Sequence, residues 1–180
     1  MITGNKLRFM AALAVLVLVG ASASSAQGTG GHDTRKATAQ LIGCEEVPAI
    51  STEGGGTFRA WLTDDAFTFK LSYDGLSSHV QQSHIHFGQK SVNGGIAVFL
   101  CSNLGNGPAG TATCPDSGEV TGTITAAQVI GPAGQGITAG QFDEVLDAIR
   151  AGVAYVNVHT DTFPSGEIRG QLGNGRHHHH

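Results

Sequence analysis

The sequence predicts a mainly β fold, a Greek-key sandwich or barrel of eight short strands with one covering helix. Apolar and polar residues alternate over short windows along most of the chain, as in half-buried antiparallel strands. Glycine, with 27 occurrences in 180 residues, punctuates these windows. A single segment has helical rather than strand spacing, and no internal repeat is present.

Strand assignments follow from the period-two alternation. The clearest strand is residues 66–73, where Phe67, Phe69, Leu71 and Tyr73 share one parity and polar residues take the other. Each strand is therefore expected to turn one face to the core. The other predicted strands are residues 38–42, 56–62, 82–87, 96–100, 119–124, 153–159 and 167–172.

The helix is predicted over residues 139–151. Phe142, Val145, Leu146 and Ile149 recur at i, i+3, i+4 and i+7, which gives an apolar stripe for packing on the sheet. Gly152 stands where a C-terminal cap is expected.

Residues 1–26 predict a secretory signal peptide. A short basic start precedes an apolar run over residues 9–20 and small residues over 21–26. The run is too short to span a bilayer, although an uncleaved anchor is the alternative. Cleavage is expected after Ala26 or after Ala23, which leaves an extracytoplasmic protein without a membrane span.

The remaining boundaries follow from composition. Residues 27–36 are Gly-rich without apolar residues and predict a flexible leader, and residues 37–172 form the domain. The tail, residues 173–180, ends in four histidines that are either a purification tag or a natural metal-binding run. These four are left out of the site prediction.

The charge balance argues against a nucleic-acid partner. Ten Lys and Arg stand against 14 Asp and Glu, with no basic run to follow a phosphate backbone.

The cysteines agree with export. Cys101 and Cys114 bracket a loop rich in Gly, Asn and Pro, and we expect a disulfide between them. Cys44 is then left over, either buried and inert or available to an intermolecular partner.

Three histidines form the candidate metal site. His84 and His86 flank Ile85 in a predicted strand, so both imidazoles point to the same side. In a later strand Asn157 and His159 take the parity opposite to the aliphatic residues. The three imidazoles can therefore converge outside the core, as a surface tri-histidine site, if the two strands are neighbours.

The alternative is that these rings only bond backbone groups on a polar sheet face. If they converge, three neutral imidazoles with an open position favour copper by intrinsic affinity, with zinc as the alternative. His79 is a candidate fourth ligand.

Four stretches together resemble the CHRD (chordin-type) domain, in a single-copy bacterial secreted form. They are EEVPAIST, SHIHFGQKSVNGGIAVFL, VIGPAGQGI and RAGVAYVNVHTDTFPSGEIRGQL, and the resemblance runs over residues 37–172. Cys44 departs from the family pattern.

This resemblance implies an immunoglobulin-like β-sandwich with limited similarity to Cu,Zn superoxide dismutases. Within that comparison His84, His86 and His159 match copper ligands, whereas the bridging histidine and the zinc half have no counterpart. The activity is not carried over by the fold alone.

Three further residues are expected to support the site. Glu167 and Arg169 share strand parity shortly after His159, and Arg169 either attracts an anion or pairs with Glu45 or Glu46. Asn157, beside His159, is either a hydrogen-bond partner of a ligand or an amide that anchors a loop.

Three functions remain open from the sequence. The first is a secreted metal-binding module, with copper favoured. The second is an envelope or extracellular protein-interaction or structural module without metal, which displays loops such as residues 102–113. The third is an enzyme, either a copper-only superoxide dismutase-like oxidoreductase or a zinc hydrolase, although no catalytic Ser, His and Asp set is found.

Overall fold

The computed structural model describes residues 36–173, together with Met1. The rest of the predicted signal peptide, the leader up to residue 35 and the tail from residue 174 lie outside the described residues. Within the described residues, eight strands and one α-helix form the domain, in agreement with the predicted mainly β class. The strands are β1 (Lys36–Ile42), β2 (Gly55–Leu62), β3 (Ala66–Asp74), β4 (Val80–Phe87), β5 (Gly95–Ser102), β6 (Gly118–Thr125), β7 (Ala154–Thr160) and β8 (Ile168–Gln171), and the helix is α1 (Phe142–Arg150).

All eight strands belong to one antiparallel sheet, in the order β5-β4-β7-β8-β1-β2-β3-β6. The sheet is nearly closed into a barrel. Strands β1, β2 and β3 are neighbours both in sequence and in the sheet, whereas the sheet neighbours β4 and β7 are separated by a long stretch of chain. That crossover pairing brings the two histidine-bearing segments side by side.

The core is built from the inward parity of each strand. In β3, Phe67, Phe69, Leu71 and Tyr73 are all buried, as predicted, while the outward Thr68 and Lys70 are exposed. Burying each large apolar side chain contributes about 1.5–3 kcal/mol. The alternation therefore fixes which side of the sheet faces inward.

Helix α1 packs its predicted stripe on the sheet, with Phe142, Val145, Leu146 and Ile149 buried. It begins three residues later than expected because Gly140 adopts φ +88°, outside the helical region. Gly152 adopts φ +70°, and Val153 N donates to Ala148 O, so the predicted glycine cap is confirmed.

The expected disulfide joins Cys101 and Cys114, and Cys44 is exposed and free. Among residues 36–173, no helix has both the length and the apolar character needed to cross a bilayer.

Candidate metal centre

Strands β4 and β7 bring the histidines together. The antiparallel register places His84 opposite Asn157 and Gln82 opposite His159. Since alternate residues share a face, His84, His86, Asn157 and His159 project to the same side. The aliphatic Ile85, between the two histidines, is buried in the core.

One nitrogen from each of His84, His86 and His159 can be chosen so that all three lie within 4.8 Å of one another. His84 Nδ1 lies 3.1 Å from His159 Nε2. Two ligands with bonds of about 2.0–2.1 Å on one ion would be roughly 2.9–3.4 Å apart for angles from 90° to tetrahedral. The sequence-predicted trio is thus brought together at a spacing that can hold a metal ion.

Backbone carbonyls orient two of the rings. His86 Nδ1 donates to Gly94 O at 2.9 Å, and His159 Nδ1 donates to Pro164 O at 3.0 Å. A carbonyl only accepts, so the neutral His86 ring carries its proton on Nδ1 and its Nε2 lone pair is left for a ligand bond. This is the carbonyl-anchored arrangement common to metal-binding histidines.

Burial keeps the three rings neutral. Desolvation lowers the pKa of His84 to about 2, helped by the neighbouring His159 and His86. Desolvation also lowers the pKa of His86 to about 4 and that of His159 below its usual value. All three imidazoles are therefore unprotonated near neutral pH, as metal ligands must be.

The expected surface location is wrong. His84, His86 and His159 are 0%, 8% and 6% exposed. The alternation of aliphatic and polar residues correctly placed the rings on the face of the sheet that Ile85 does not share. It could not show that loops close over that side, where Gly94 and Pro164 bond the rings and Phe99 packs edge-on against His84.

Asn157 lies next to the ligand atoms, with Oδ1 3.0 Å from His159 Nε2. A Cβ on Gly166 would clash with Glu46 Oε1 and would lie 2.9 Å from the Asn157 amide nitrogen, so glycine at this position leaves room for both groups. Burial raises the pKa of Glu46 to about 7, although the positive charge of Arg169 opposes this. A carboxyl group of unusual basicity therefore lies behind Asn157.

Tyr155 was missed by the sequence analysis. Its ring is parallel to the His86 ring, 4.7 Å between centroids, and the Arg169 guanidinium lies over its other face at 3.4 Å. Tyr155 shares the strand parity of Asn157 and His159, and that shared parity is the sequence signal that could have identified it as a site residue. Each member of this stack is buried.

Arg169 does not make the predicted pairing with Glu45, which instead bonds Lys90. The Arg169 guanidinium donates to the backbone carbonyls of Gln89 and Val92, at 3.2 and 2.9 Å. It is 1% exposed, so it secures the loop before β5 from inside rather than attracting an anion at the surface. Arg169 acts on the buried Glu46 through its positive charge, which lowers the pKa of that carboxyl group.

Two other predicted positions lie away from the trio's ligand atoms. The Glu167 carboxylate is buried and accepts hydrogen bonds from Thr52, Ser77 and Thr160, so it joins loops to β7. His79 is exposed, and its Nδ1 lies 2.7 Å from Asp116 Oδ2. The group of potential ligands contains His84, His86 and His159 but not His79, which overturns the fourth-ligand prediction.

The residues present fit a metal ion. His86 Nε2, the lone-pair nitrogen of its ring, is buried without a hydrogen-bond partner among the described residues. An unsatisfied buried polar atom costs about 1–3 kcal/mol. A cation shared by the three rings would satisfy the His86 lone pair and one lone pair on each of the others.

The family model for the CHRD domain matches residues 37–172. This chain is a member of the CHRD domain family. The match covers the sheet except for Lys36, and it includes all three histidines. Comparison with curated proteins found no match, and comparison with solved structures found none either.

Proposed function

We propose that this CHRD-domain protein is an extracytoplasmic metal-binding module in which His84, His86 and His159 hold one ion, with copper favoured over zinc. The observation that carries the proposal is the convergence of three neutral imidazoles within 4.8 Å. Copper is favoured because divalent copper binds nitrogen sites more tightly than zinc does.

The disulfide supports the extracytoplasmic part of the proposal. Bonds such as Cys101–Cys114 persist in oxidising compartments and are rare in the cytosol. The signal-like sequence of residues 1–26 points the same way.

The burial of the three histidine rings favours metal binding over catalysis. A substrate has to reach the ion, and the three rings are at most 8% exposed. Ser83 offers no nucleophile to this site because its hydroxyl donates to Asn157 O at 2.6 Å. We therefore place metal storage, transfer or scavenging ahead of the dismutase and hydrolase hypotheses.

The proposal is tested by metal stoichiometry and affinity for Cu(II), Cu(I) and Zn(II). The protein used is the full chain with the four C-terminal histidines replaced by serine, since that run binds metals by itself. We expect one equivalent of copper, with affinity reduced by about 100-fold or more in His86→Ala. His79→Ala is the matched control and should bind as the parent does.

Equal copper affinity in the parent and His86→Ala would contradict the proposal. A parent that binds no metal tightly would favour the interaction module without metal.

A further inference from the structure

The chain's single tryptophan lies on the outside of the sheet. Trp61, on β2, is 45% exposed, and its registered neighbours are Lys36 on β1 and Thr68 on β3. The core of the domain is filled by other side chains, so this large aromatic ring is left facing solvent. Exposed Trp side chains are typical anchors of binding surfaces.

Positive charge gathers around this tryptophan in an otherwise acidic domain. Residues 36–173 contain six Lys and Arg against 13 Asp and Glu, a balance of −7. Three of the six cations, Lys36, Arg59 and Lys70, share the outward face with Trp61. We call these four residues the basic face.

The arrangement within the basic face is unfavourable without an anion. Arg59 and Lys70 are directly opposite each other on β2 and β3, a pairing of like charges that destabilises a sheet. Lys70 is partly compensated by Glu119 on β6. The other registered neighbour of Arg59 is Thr38, which is not acidic.

Hydroxyl groups extend the basic face across the sheet. Thr68 and Thr123 continue the row of Trp61, and Thr121 continues the row of Arg59 and Lys70. These threonines are exposed. Neighbouring strands are about 4.8 Å apart, so the face presents a regular array of donors and acceptors.

We propose that the basic face binds an acidic polysaccharide. The Trp61 ring stacks on a sugar ring, Lys36 and Arg59 pair with its carboxylate or sulfate groups, and the threonines bond its hydroxyls. Charge complementarity selects an anion, and the hydroxyl array selects a polyhydroxylated one. A lipid surface would require more than one large apolar side chain.

This inference is independent of the metal centre, because the basic face lies on β1, β2 and β3 whereas the histidines lie on β4 and β7. The two can fail separately. His86→Ala is expected to leave polysaccharide affinity unchanged, and Trp61→Ala is expected to leave copper affinity unchanged.

The test is calorimetric titration of the full chain, with the C-terminal histidines replaced by serine, against polygalacturonate, its methyl ester, heparin and phosphatidylserine vesicles. We expect binding to at least one acidic polymer, weakened by salt, with Trp61→Ala and Arg59→Gln each at least about tenfold weaker. Trp61→Phe should retain most of the affinity. Lys90→Gln and Arg150→Gln remove cations elsewhere and should bind as the parent does, and circular dichroism checks that every variant folds.

Four outcomes would overturn the proposal. They are no binding to either acidic polymer, equal binding to the neutral ester, equal weakening by Lys90→Gln, or tighter binding to phosphatidylserine vesicles than to the polymers.

Discussion

At the residue scale, the site depends on side chains that hold the ligand rings in place. Arg169 fixes the carbonyls of Gln89 and Val92 and lies on Tyr155, which in turn lies against His86. The carbonyl oxygen of Gly94, at the end of the same loop, accepts a hydrogen bond from His86 Nδ1. The orientation of this imidazole is thus coupled to a buried guanidinium that does not bond it directly.

We predict that Arg169→Met lowers the free energy of unfolding by about 2–4 kcal/mol, because the bonded carbonyls lose a charged donor in a buried position. Copper affinity should fall by roughly 10–100-fold as the loop loosens. Urea denaturation and copper titration measure the two effects. Arg150→Met, which breaks exposed ion pairs with Asp64 and Asp147, is the control and should change stability by less than about 0.5 kcal/mol. A similar small change in both variants would show that Arg169 does not hold the loop.

Much of this residue-level arrangement could be predicted from the sequence, and some could not. The H-x-H spacing and the parity of residues 153–159 identified the trio, because period two is a local property of strands. The burial of His84 and the bonds of Arg169 depend on loops distant in sequence, and no local pattern encodes those contacts. Tyr155 lay within reach of the parity argument but was assigned no role.

At the element scale, strand assignment followed the sequence more closely than the ends of the helix. Strands β2 and β3 match the alternation because each of their inward residues is buried. The helix begins later than expected because Gly140 has a positive φ, and the periodicity of apolar residues carries no information about that backbone angle. The glycine cap at the other end was predictable because it combines a residue type with a position.

We predict that Gly152→Ala destabilises the domain by about 1 kcal/mol, because φ +70° strains an L-residue. Gly134→Ala is the matched control. A Cβ there meets nothing within 4 Å, and its φ is outside the positive region, so its effect should be neutral or slightly stabilising. Thermal unfolding of both variants measures the difference, and an equal response at the two positions would contradict the cap.

At the scale of the whole molecule, the fold encloses a group of neutral histidines together with a carboxyl group of raised pKa. In the unfolded chain the histidines take up protons as pH falls below their usual value of 6.5, whereas lowered pKa values prevent this in the native state. The Glu46 carboxyl, with its pKa of about 7, has the opposite effect between pH 7 and 4.5, since the native state holds the proton. Three histidines against one glutamate leave a net uptake of protons on unfolding.

We therefore predict that the metal-free protein loses stability as pH falls from about 6 to 5. His84 and His86 against Glu46 give a net uptake of about one proton, which corresponds to roughly 1.4 kcal/mol per pH unit, and the lowered pKa of His159 acts in the same direction. Urea denaturation in the presence of a chelator at several pH values measures the slope. A stability that is constant or that rises over this interval would show that the rings are protonated in the native state.

The mainly β class was predictable from composition and alternation, while the order of strands in the sheet was not. The pairing of β4 with β7 joins residues 67 to 80 positions apart, and it is this pairing that creates the site. From the sequence alone the pairing of β4 with β7 could only be assumed, and the metal hypothesis depended on that condition. The structure satisfies that condition.

The most direct measurement is an anomalous difference map at the copper edge, from crystals of the copper-loaded full chain with its C-terminal histidines replaced by serine. We expect one strong peak bonded to nitrogens of His84, His86 and His159, at about 2.0–2.1 Å from each. A strong peak elsewhere, with none among these three rings, would contradict this expectation.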